Sequence, residues 1–486
     1  MTEQVRRIDE PAAGAIPVHD PRTGRVEFWM PVETPAQVAA KAKSLRAAQR
    51  DWGAMRVEDR IAVLQRWAQA IERHRDAIIA ADSKDTGYGQ VSRIAPDMML
   101  GTIRGLSMSA PAAFAAAMRQ GRSPAMPHVN YDSVLKPYPL VGVISPWNAP
   151  TMLSMLRAIP PLFAGCSVLV KPSEVTPRFV EPLRATLAEV PELQAVFDFA
   201  LGDGSTGAAV IEAADFISFT GSVPNGKRVA EACARRLIPC ELELGGKDPA
   251  IITATANLDD AAAAVLRGAV TSTGQVCFSI ERVYVERSVH DEFVARLAAK
   301  AERVEINHPD PMSGHIGPFI TARQAEIVDK HIDEAVALGA KIVTGGKSFV
   351  LDGGRYMRAT VLTNVNHKMA IMRDETFGPV MPVMAWDTVD EAVALANDTY
   401  FGLSAAVLAG TEEEARAIAV RIDAGNVSVQ DAFLTFAAAP AEADAFGASG
   451  VGGKRSGIQR YLRRQALLIN SRRPECMLEE PLKAAR

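Results

Sequence analysis

The chain has 486 residues, more than one hydrophobic core ordinarily supports, so two or three structural units are expected. Its 53 basic and 57 acidic residues leave a net charge of -4, which gives no electrostatic footprint for nucleic acid or an anionic membrane. A small-molecule substrate is the expectation that remains.

In chain order, the opening MTEQVRRIDEPAAG carries charges where a secretory signal requires an apolar core, and a cytoplasmic protein is expected. Thr34 and Pro35 give a helix-start signal for TPAQVAAKAKSLRAAQRDW, with apolar positions at Val38, Ala42 and Leu45. A second helix is predicted over RIAVLQRWAQAIERHRDAII, where Ile61, Leu64, Ala68 and Ile71 share one face. From residue 134 onward the short runs VGVI, SVLV, FISF, PAII, VYV and LSAAV alternate with helix-length segments. That alternation predicts parallel βαβ units with helices on both faces. The most apolar region is broken by Pro146, Pro150, Arg157 and the Pro160-Pro161 pair, so it reads as interior rather than as a membrane span. The cysteines, Cys166, Cys233, Cys240, Cys277 and Cys476, are too scattered for a disulfide framework or a zinc site. No HExxH pair occurs among the histidines, and no catalytic metal is expected.

Four stretches put chemistry-bearing residues beside strand ends. In SPWNAP, Asn148 follows a strand ending near Ile144, the place where open α/β sheets hold ligands. Its amide is either an oxyanion donor or a turn former between prolines. In LVKPSE, Lys171 and Glu174 enter a turn; the carboxylate is suited to accept from ribose hydroxyls, and a solvated charge pair is the alternative. In FTGSVPNGKRVAE, Gly221 permits close backbone approach ahead of a helix whose first amides favour phosphate, although ordinary βα-turn glycine has the same pattern. In ELELGGKDPAII, Glu243 precedes Gly245 and Gly246: a carboxylate able to activate water beside space for a planar ligand, or a simple bend into a strand.

The fifth is TSTGQVCFSI. Small residues and Gly274 ahead of Cys277 predict a tight, accessible loop, in which the Cys277 amide can help bind the oxyanion formed by attack of its own sulfur. A buried, inert thiol is the competing reading, and the one adopted for Cys166, Cys233 and Cys240.

PWN, KPSE, FTGS, ELGGK, GQVC, ETFGPV and GGKRSG, in this order over nearly the whole chain, resemble the aldehyde dehydrogenase superfamily. The interval from Glu243 to Cys277 is also that family's. The resemblance implies an α/β fold with a Rossmann-type NAD-binding domain (1–118 and 138–245) and an α/β catalytic domain (246–445). A small β oligomerisation unit (119–137 and 460–486) completes it. Cys277 is implied as nucleophile, Asn148 with the Cys277 amide as oxyanion site, and Glu243 as general base. Ile144, Trp147, Lys171, Glu174, Gly204, Gly221, Ser222, Leu244, Gly245, Glu375 and Phe377 are the implied cofactor contacts. The implied reaction converts an aldehyde, NAD(P)+ and water to a carboxylic acid through a thiohemiacetal and a thioester on Cys277. A homodimer or homotetramer is implied.

Three departures from the family pattern stand out. Ala149 replaces a frequent aromatic after PWN, and the next helix directs Thr151, Met152, Met155 and Leu156 toward the expected substrate funnel. Together with Phe278, Phe433 and Phe436 this predicts a hydrophobic or aromatic aldehyde, unless these side chains are core. Arg157 stands where the family usually has lysine; an arginine cannot relay a proton, so only an electrostatic role is expected. The late motif SGVGGKRSGIQRYLRRQ lacks the family's usual GRE ending. Glu174 is expected to favour NAD+ by repelling a 2′-phosphate, with Lys171 offering partial compensation toward NADP+. The rival readings are a semialdehyde dehydrogenase of the same superfamily, a CoA-acylating member, a non-redox cysteine acyl hydrolase and a non-catalytic scaffold.

Overall fold

The structure is a computed structural model describing residues 14–435, 443–452 and 457–474. Two large sheets carry the fold. In the first, the strands run Gly450–Val451, Cys240–Glu243, Phe216–Thr220, Leu140–Ile144, Ser167–Lys171 and Phe197–Phe199. All neighbours are parallel except Gly450–Val451, which pairs antiparallel with Cys240–Glu243. Alternate residues leave by opposite faces. Val141, Val143, Val168 and Val170 enter one core with Trp67, Met155 and Phe163, whereas Leu140, Leu169, Ile217 and Leu242 enter another with Val38 and Leu45.

The second sheet has the order Lys341–Thr344, Thr360–Thr363, Val380–Trp386, Ile280–Glu286, Asp248–Ile252, Ser404–Leu408 and Asn426–Val429. Its first pair is antiparallel and the rest are parallel. Here too alternation feeds two cores: Ile251, Tyr284 and Val407 on one face, Ala250, Val283 and Ala406 on the other. Strands buried on both faces need continuous apolar runs, which is why VGVI, SVLV and PAII are legible in the sequence. All six predicted strand runs lie in these two sheets.

A third, antiparallel sheet joins Leu462–Asn470, Val129–Pro137 and Gln120–Arg122, with Leu462 opposite Pro137 and Asn470 opposite Val129. It leaves Leu467, Leu468 and Ile469 exposed.

The helix Pro35–Ala54 starts as predicted: Thr34 accepts from the Gln37 amide, and the Gln37 side chain accepts from Thr34 in return, a complete capping box. The second predicted helix is two. Val57–Arg73 and Arg75–Thr86 meet at His74, whose ψ of 9° ends the first. The buried face of the first is Arg60, Val63, Leu64, Trp67, Ala70 and Ile71, so Ile61 and Ala68 lie at its margin. Arg60 is buried because its guanidinium is consumed by the Met55 and Phe163 carbonyls, a use that an apolar count cannot foresee. No helix among the described residues is long and apolar enough to cross a membrane.

Candidate active site

Loops beside the strands of both sheets meet one another, and they carry the residues of interest. The strand Ile280–Glu286 is preceded by a turn, Thr271–Gly274, in which Ser272, Thr273 and Gly274 all have left-handed backbones with φ of 52°, 58° and 70°. Two non-glycine residues held so cost of order 1–2 kcal/mol each, and the fold holds them with side-chain bonds. Thr273 donates to the Gly317 carbonyl at 2.9 Å, and Gln275 accepts from Ile320 N–H at 3.2 Å while donating to the Tyr88 hydroxyl. A side chain at Gly274 would lie 2.2 Å from the Gly378 carbonyl oxygen, so this turn packs directly on the loop that carries Glu375 and Phe377. Cys277 follows, partly exposed.

Asn148 comes from the loop before the helix Pro150–Ala164, and its Nδ2 donates to the Gln275 carbonyl at 2.9 Å. One amide hydrogen is thereby committed, and the second remains to be donated. The Cys277 thiol is pushed up to about 12, by burial first and then by Glu243, Glu375 and Asp248. These three carboxyl groups therefore oppose ionisation of the sulfur. Glu375 itself is raised to about 8, by burial and then by Glu281. Asp248 is raised to about 8, chiefly by burial, and its carboxyl accepts from the Ser404 hydroxyl.

The two glycines after Glu243 have identified neighbours. A Cβ on Gly245 would sit 2.4 Å from both Glu375 carboxyl oxygens, and one on Gly246 would sit 2.4 Å from the Cys277 carbonyl oxygen. The space beside the glycines is thus bordered by Glu375 and the cysteine loop, so side chains at either position would push on both. Gly246 N–H donates to Glu375 Oε1 at 3.2 Å.

Glu375 and Phe377 are held from behind. Glu281 accepts from the Thr376 and Phe377 amides, both at 2.7 Å, and from Lys247 Nζ at 2.6 Å; the ion pair is fully enclosed. This stabilises the positive φ of 55° at Phe377, whose ring meets Trp147 edge-on with centroids 5.4 Å apart. Sequence reasoning missed Gln275, Lys247, Glu281 and Glu241. Glu281 had one signal, a charge within the buried strand Ile280–Glu286, whereas Lys247 lies just ahead of the strand Asp248–Ile252.

The remaining sequence-predicted residues lie on the first sheet. Lys171 ends its strand buried and pairs with Glu174 at 2.8 Å. Ile144 and Trp147 border the neighbouring strand end, and the Trp147 carbonyl accepts from Thr176 Oγ1 at 3.1 Å. Ser222 precedes the helix Val223–Arg236 without closing its end by a side-chain bond, and the buried Thr220 hydroxyl just before it has no partner among the described residues. An unfilled helix start beside an orphaned hydroxyl fits an anionic group. The nearest atoms to a Cβ on Gly221 would be those of the Phe219 ring, whereas Gly204, at the start of Gly204–Ala213, faces open space. Leu244 is buried against Gly226 and donates its amide to the Ser449 carbonyl at 2.9 Å.

Around Cys277 the substrate expectations divide. Phe278 is buried, with its ring 5.1 Å from Phe433. Ala149 and Met152 are partly exposed at the start of their helix. Thr151 and Met155 are not funnel residues: Thr151 donates its amide to Asp82, and Met155 belongs to the first sheet's core. Phe436 lies outside the described residues. Arg157, one turn further along, spans Glu241 at 2.5 Å and Glu243 at 3.0 Å.

The sequence profile of the Aldehyde dehydrogenase family matches residues 8–467. A Mycolicibacterium smegmatis protein provisionally named as an NADP+ succinate-semialdehyde dehydrogenase is 37% identical over 459 residues, covering 93% of this chain and 88% of the relative. A 4,4'-diapolycopene aldehyde oxidase from Methylomonas sp is 34% identical, with 92% and 83% covered. Among solved structures, the provisionally assigned aldehyde dehydrogenase PutA from Anabaena variabilis superposes with a TM-score of 0.91 at 47% identity, covering 96% of this chain and 99% of its own. Betaine aldehyde dehydrogenase from Staphylococcus aureus in complex with NAD+ gives a TM-score of 0.89 at 28% identity, with 96% and 93% covered. With both sheets, the motif order and matches over nearly its full length in agreement, this chain belongs to the aldehyde dehydrogenase family.

Proposed function

We propose that the protein oxidises a hydrophobic or aromatic aldehyde to its carboxylic acid, with Cys277 as nucleophile, Asn148 as oxyanion donor and Glu243 as general base. One observation carries this reading: the partly exposed Cys277 follows a strained turn whose next residue, Gln275, accepts from Asn148, and the Glu243 carboxylate acts electrostatically on its sulfur.

The Cys277 thiolate adds to the aldehyde carbon, and the oxygen that becomes negative accepts from the free Asn148 N–H and the Cys277 amide. A bound nicotinamide cofactor supplies the hydride acceptor. The acyl group is then a thioester on Cys277. Glu243 takes a proton from water, the hydroxide attacks the thioester carbon, and the acid leaves as the Cys277 sulfur regains its electron pair. Retention of Glu243 favours water over coenzyme A as the acceptor, and the absence of a nearby histidine in sequence weighs against a purely hydrolytic enzyme.

Residues fit for the cofactor are Lys171 and Glu174 for the adenosine ribose, the Gly221-Ser222 helix start for the phosphates, and Glu375 with Phe377 for the nicotinamide end. NAD+ is favoured, because the Lys171 ammonium is already engaged by Glu174 and a 2′-phosphate would meet that carboxylate. The NADP+ in the mycobacterial relative's name supports the alternative. The same name supports a semialdehyde as second substrate reading, while the Phe278 and Phe433 ring pair and the apolar polyene aldehyde in the Methylomonas relative's name support the first. The exposed apolar residues of Leu462–Asn470 support assembly as a homodimer or homotetramer, with residues 119–137 and 460–486 as the contacting unit beside a cofactor domain (1–118, 138–245) and a catalytic domain (246–445).

The test is cofactor reduction followed by absorbance, with benzaldehyde, hexanal and succinate semialdehyde, using NAD+ and NADP+, for wild type and Cys277→Ala. Reduction with the first two that vanishes in the variant is expected. A clear preference for the carboxylated semialdehyde would overturn the hydrophobic assignment, and reduction that survives in Cys277→Ala would overturn the mechanism.

A further inference from the structure

Glu241 and Glu243 lie two apart on one strand and so point to the same face of the sheet. Leu242 between them enters the opposite core. Glu243 is partly open, whereas Glu241 is enclosed, and an enclosed carboxylate needs partners. It has three. Arg157 Nη1 donates to its Oε1 at 2.5 Å, the Arg460 guanidinium reaches the same oxygen, and Tyr461 Oη donates to Oε2 at 3.4 Å. The other arm of Arg157, Nη2, meets Glu243 Oε1 at 3.0 Å. The charges therefore alternate in one continuous chain from Glu243 through Arg157 and Glu241 to Arg460.

We propose that Glu241 is the positioning residue for Glu243: it fixes the Arg157 guanidinium, which fixes the Glu243 carboxylate, and it ties both to the carboxyl-terminal segment through Arg460 and Tyr461. This rests on the reading of Glu243 as the base for thioester hydrolysis. An isolated arginine beside Glu243 would swing on its long side chain, losing the geometry that a base requires. The second carboxylate removes that freedom, because the planar guanidinium is gripped at both ends. Arg460 and Tyr461 end the turn Gly457–Tyr461 and lead directly into the strand Leu462–Asn470. The proposed base is thus held by a part of the chain remote in sequence from the nucleophile, and a shift of that segment reaches Glu243 through three ion pairs, Arg460–Glu241, Glu241–Arg157 and Arg157–Glu243.

The variant is Glu241→Gln, which keeps the shape and removes the charge. With benzaldehyde and cofactor, it is expected to give a rapid burst of reduced cofactor near one per site, followed by slow turnover. Steady-state rate should fall by roughly tenfold to a hundredfold, a part of the ~10²–10⁴ that a general base supplies. Hydrolysis of 4-nitrophenyl acetate, which needs no cofactor, should show the same burst of nitrophenol and the same slow phase. Glu241→Asp, which restores the charge on a shorter stem, should recover part of the steady rate. Loss of one partner of a buried ion pair destabilises, so Arg460→Gln, which leaves Glu241 bound to Arg157, is measured alongside. It is expected to slow the same phase by a smaller factor.

A folded Glu241→Gln with wild-type turnover and no burst overturns the proposal. Should that variant not fold, an Arg460→Gln enzyme with unaltered slow phase overturns it instead. A wild type that reduces neither cofactor sinks the oxidation reading, and the ester assay then still decides whether Glu241 governs release of the acyl group.

Discussion

The Asn148 side chain donates to the carbonyl of Gln275 at 2.9 Å, joining the loop of the first sheet to the loop of the second just ahead of Cys277. The donor proposed to hold the oxyanion is therefore oriented by the same backbone that presents the nucleophile. Asn148→Ala should lower kcat by about 10²–10³, the usual cost of losing one oxyanion donor, with little change in cofactor affinity. Steady-state kinetics and a cofactor titration on the same sample check this; a variant that loses cofactor binding in parallel would point to collapse of the loop instead.

Cys277 lies among carboxyl groups that oppose its ionisation, and its pKa near 12 places most of it as thiol at neutral pH. Its alkylation by iodoacetamide should speed up by about tenfold per pH unit between pH 7 and 10, tracking the thiolate. Glu243 is the largest raising influence after burial, so Glu243→Gln should accelerate alkylation at fixed pH even as it slows turnover. Equal alkylation rates in the two proteins would separate Glu243 from the sulfur.

Glu375 has its pKa raised from 4.5 to about 8, mainly by burial, so the folded protein holds a proton that the unfolded chain releases above about pH 4.5. Its contribution to stability therefore declines as pH rises from 4.5 to about 8 and is level beyond. Glu375→Gln removes that decline. Its Tm should exceed that of wild type by roughly a few degrees near pH 8.5 and by less near pH 5. Thermal unfolding across this range tests it, and a Tm difference independent of pH would contradict the buried, protonated carboxyl.

Glu174→Gln removes the carboxylate that a 2′-phosphate would meet while leaving Lys171 in place. The ratio of kcat/KM for NADP+ over NAD+ should rise by roughly tenfold, equivalent to about 1.4 kcal/mol of relieved repulsion. An unchanged ratio, measured at constant ionic strength, would place the ribose elsewhere.

The sequence made six of the parallel strands legible, because burial on both faces favours apolar runs, and each of those six runs became a strand, whereas strands such as Phe197–Phe199 and Cys240–Glu243, which carry Asp198 and Glu241, offered no such run. The break at His74 was invisible because the apolar period continues through it while the backbone does not. Family motifs named Glu243, Cys277 and Asn148, yet none announced Glu241 or Glu281, and GQVC contained Gln275 without revealing its partners. Their partners lie tens to hundreds of positions away, and a lone charged residue in a strand carries no sign of which distant arginine or amide will meet it. Met155 and Thr151 were misdirected toward the substrate because a helical wheel gives the angle of a side chain but not which neighbour occupies that side.

The short pairing of Gly450–Val451 with Cys240–Glu243 bears on how the protein is made. As the chain leaves the ribosome, the strand carrying Glu241 and Glu243 appears about halfway through and must wait, with one edge bare and Glu241 bound to Arg157 but still lacking Arg460, until residues 450–460 have been synthesised. Release of a nearly complete chain is then the moment at which that edge closes. Truncation ahead of Gly450 should consequently leave a product that retains most of its strands but remains prone to sticking to its own copies through the unfinished edge.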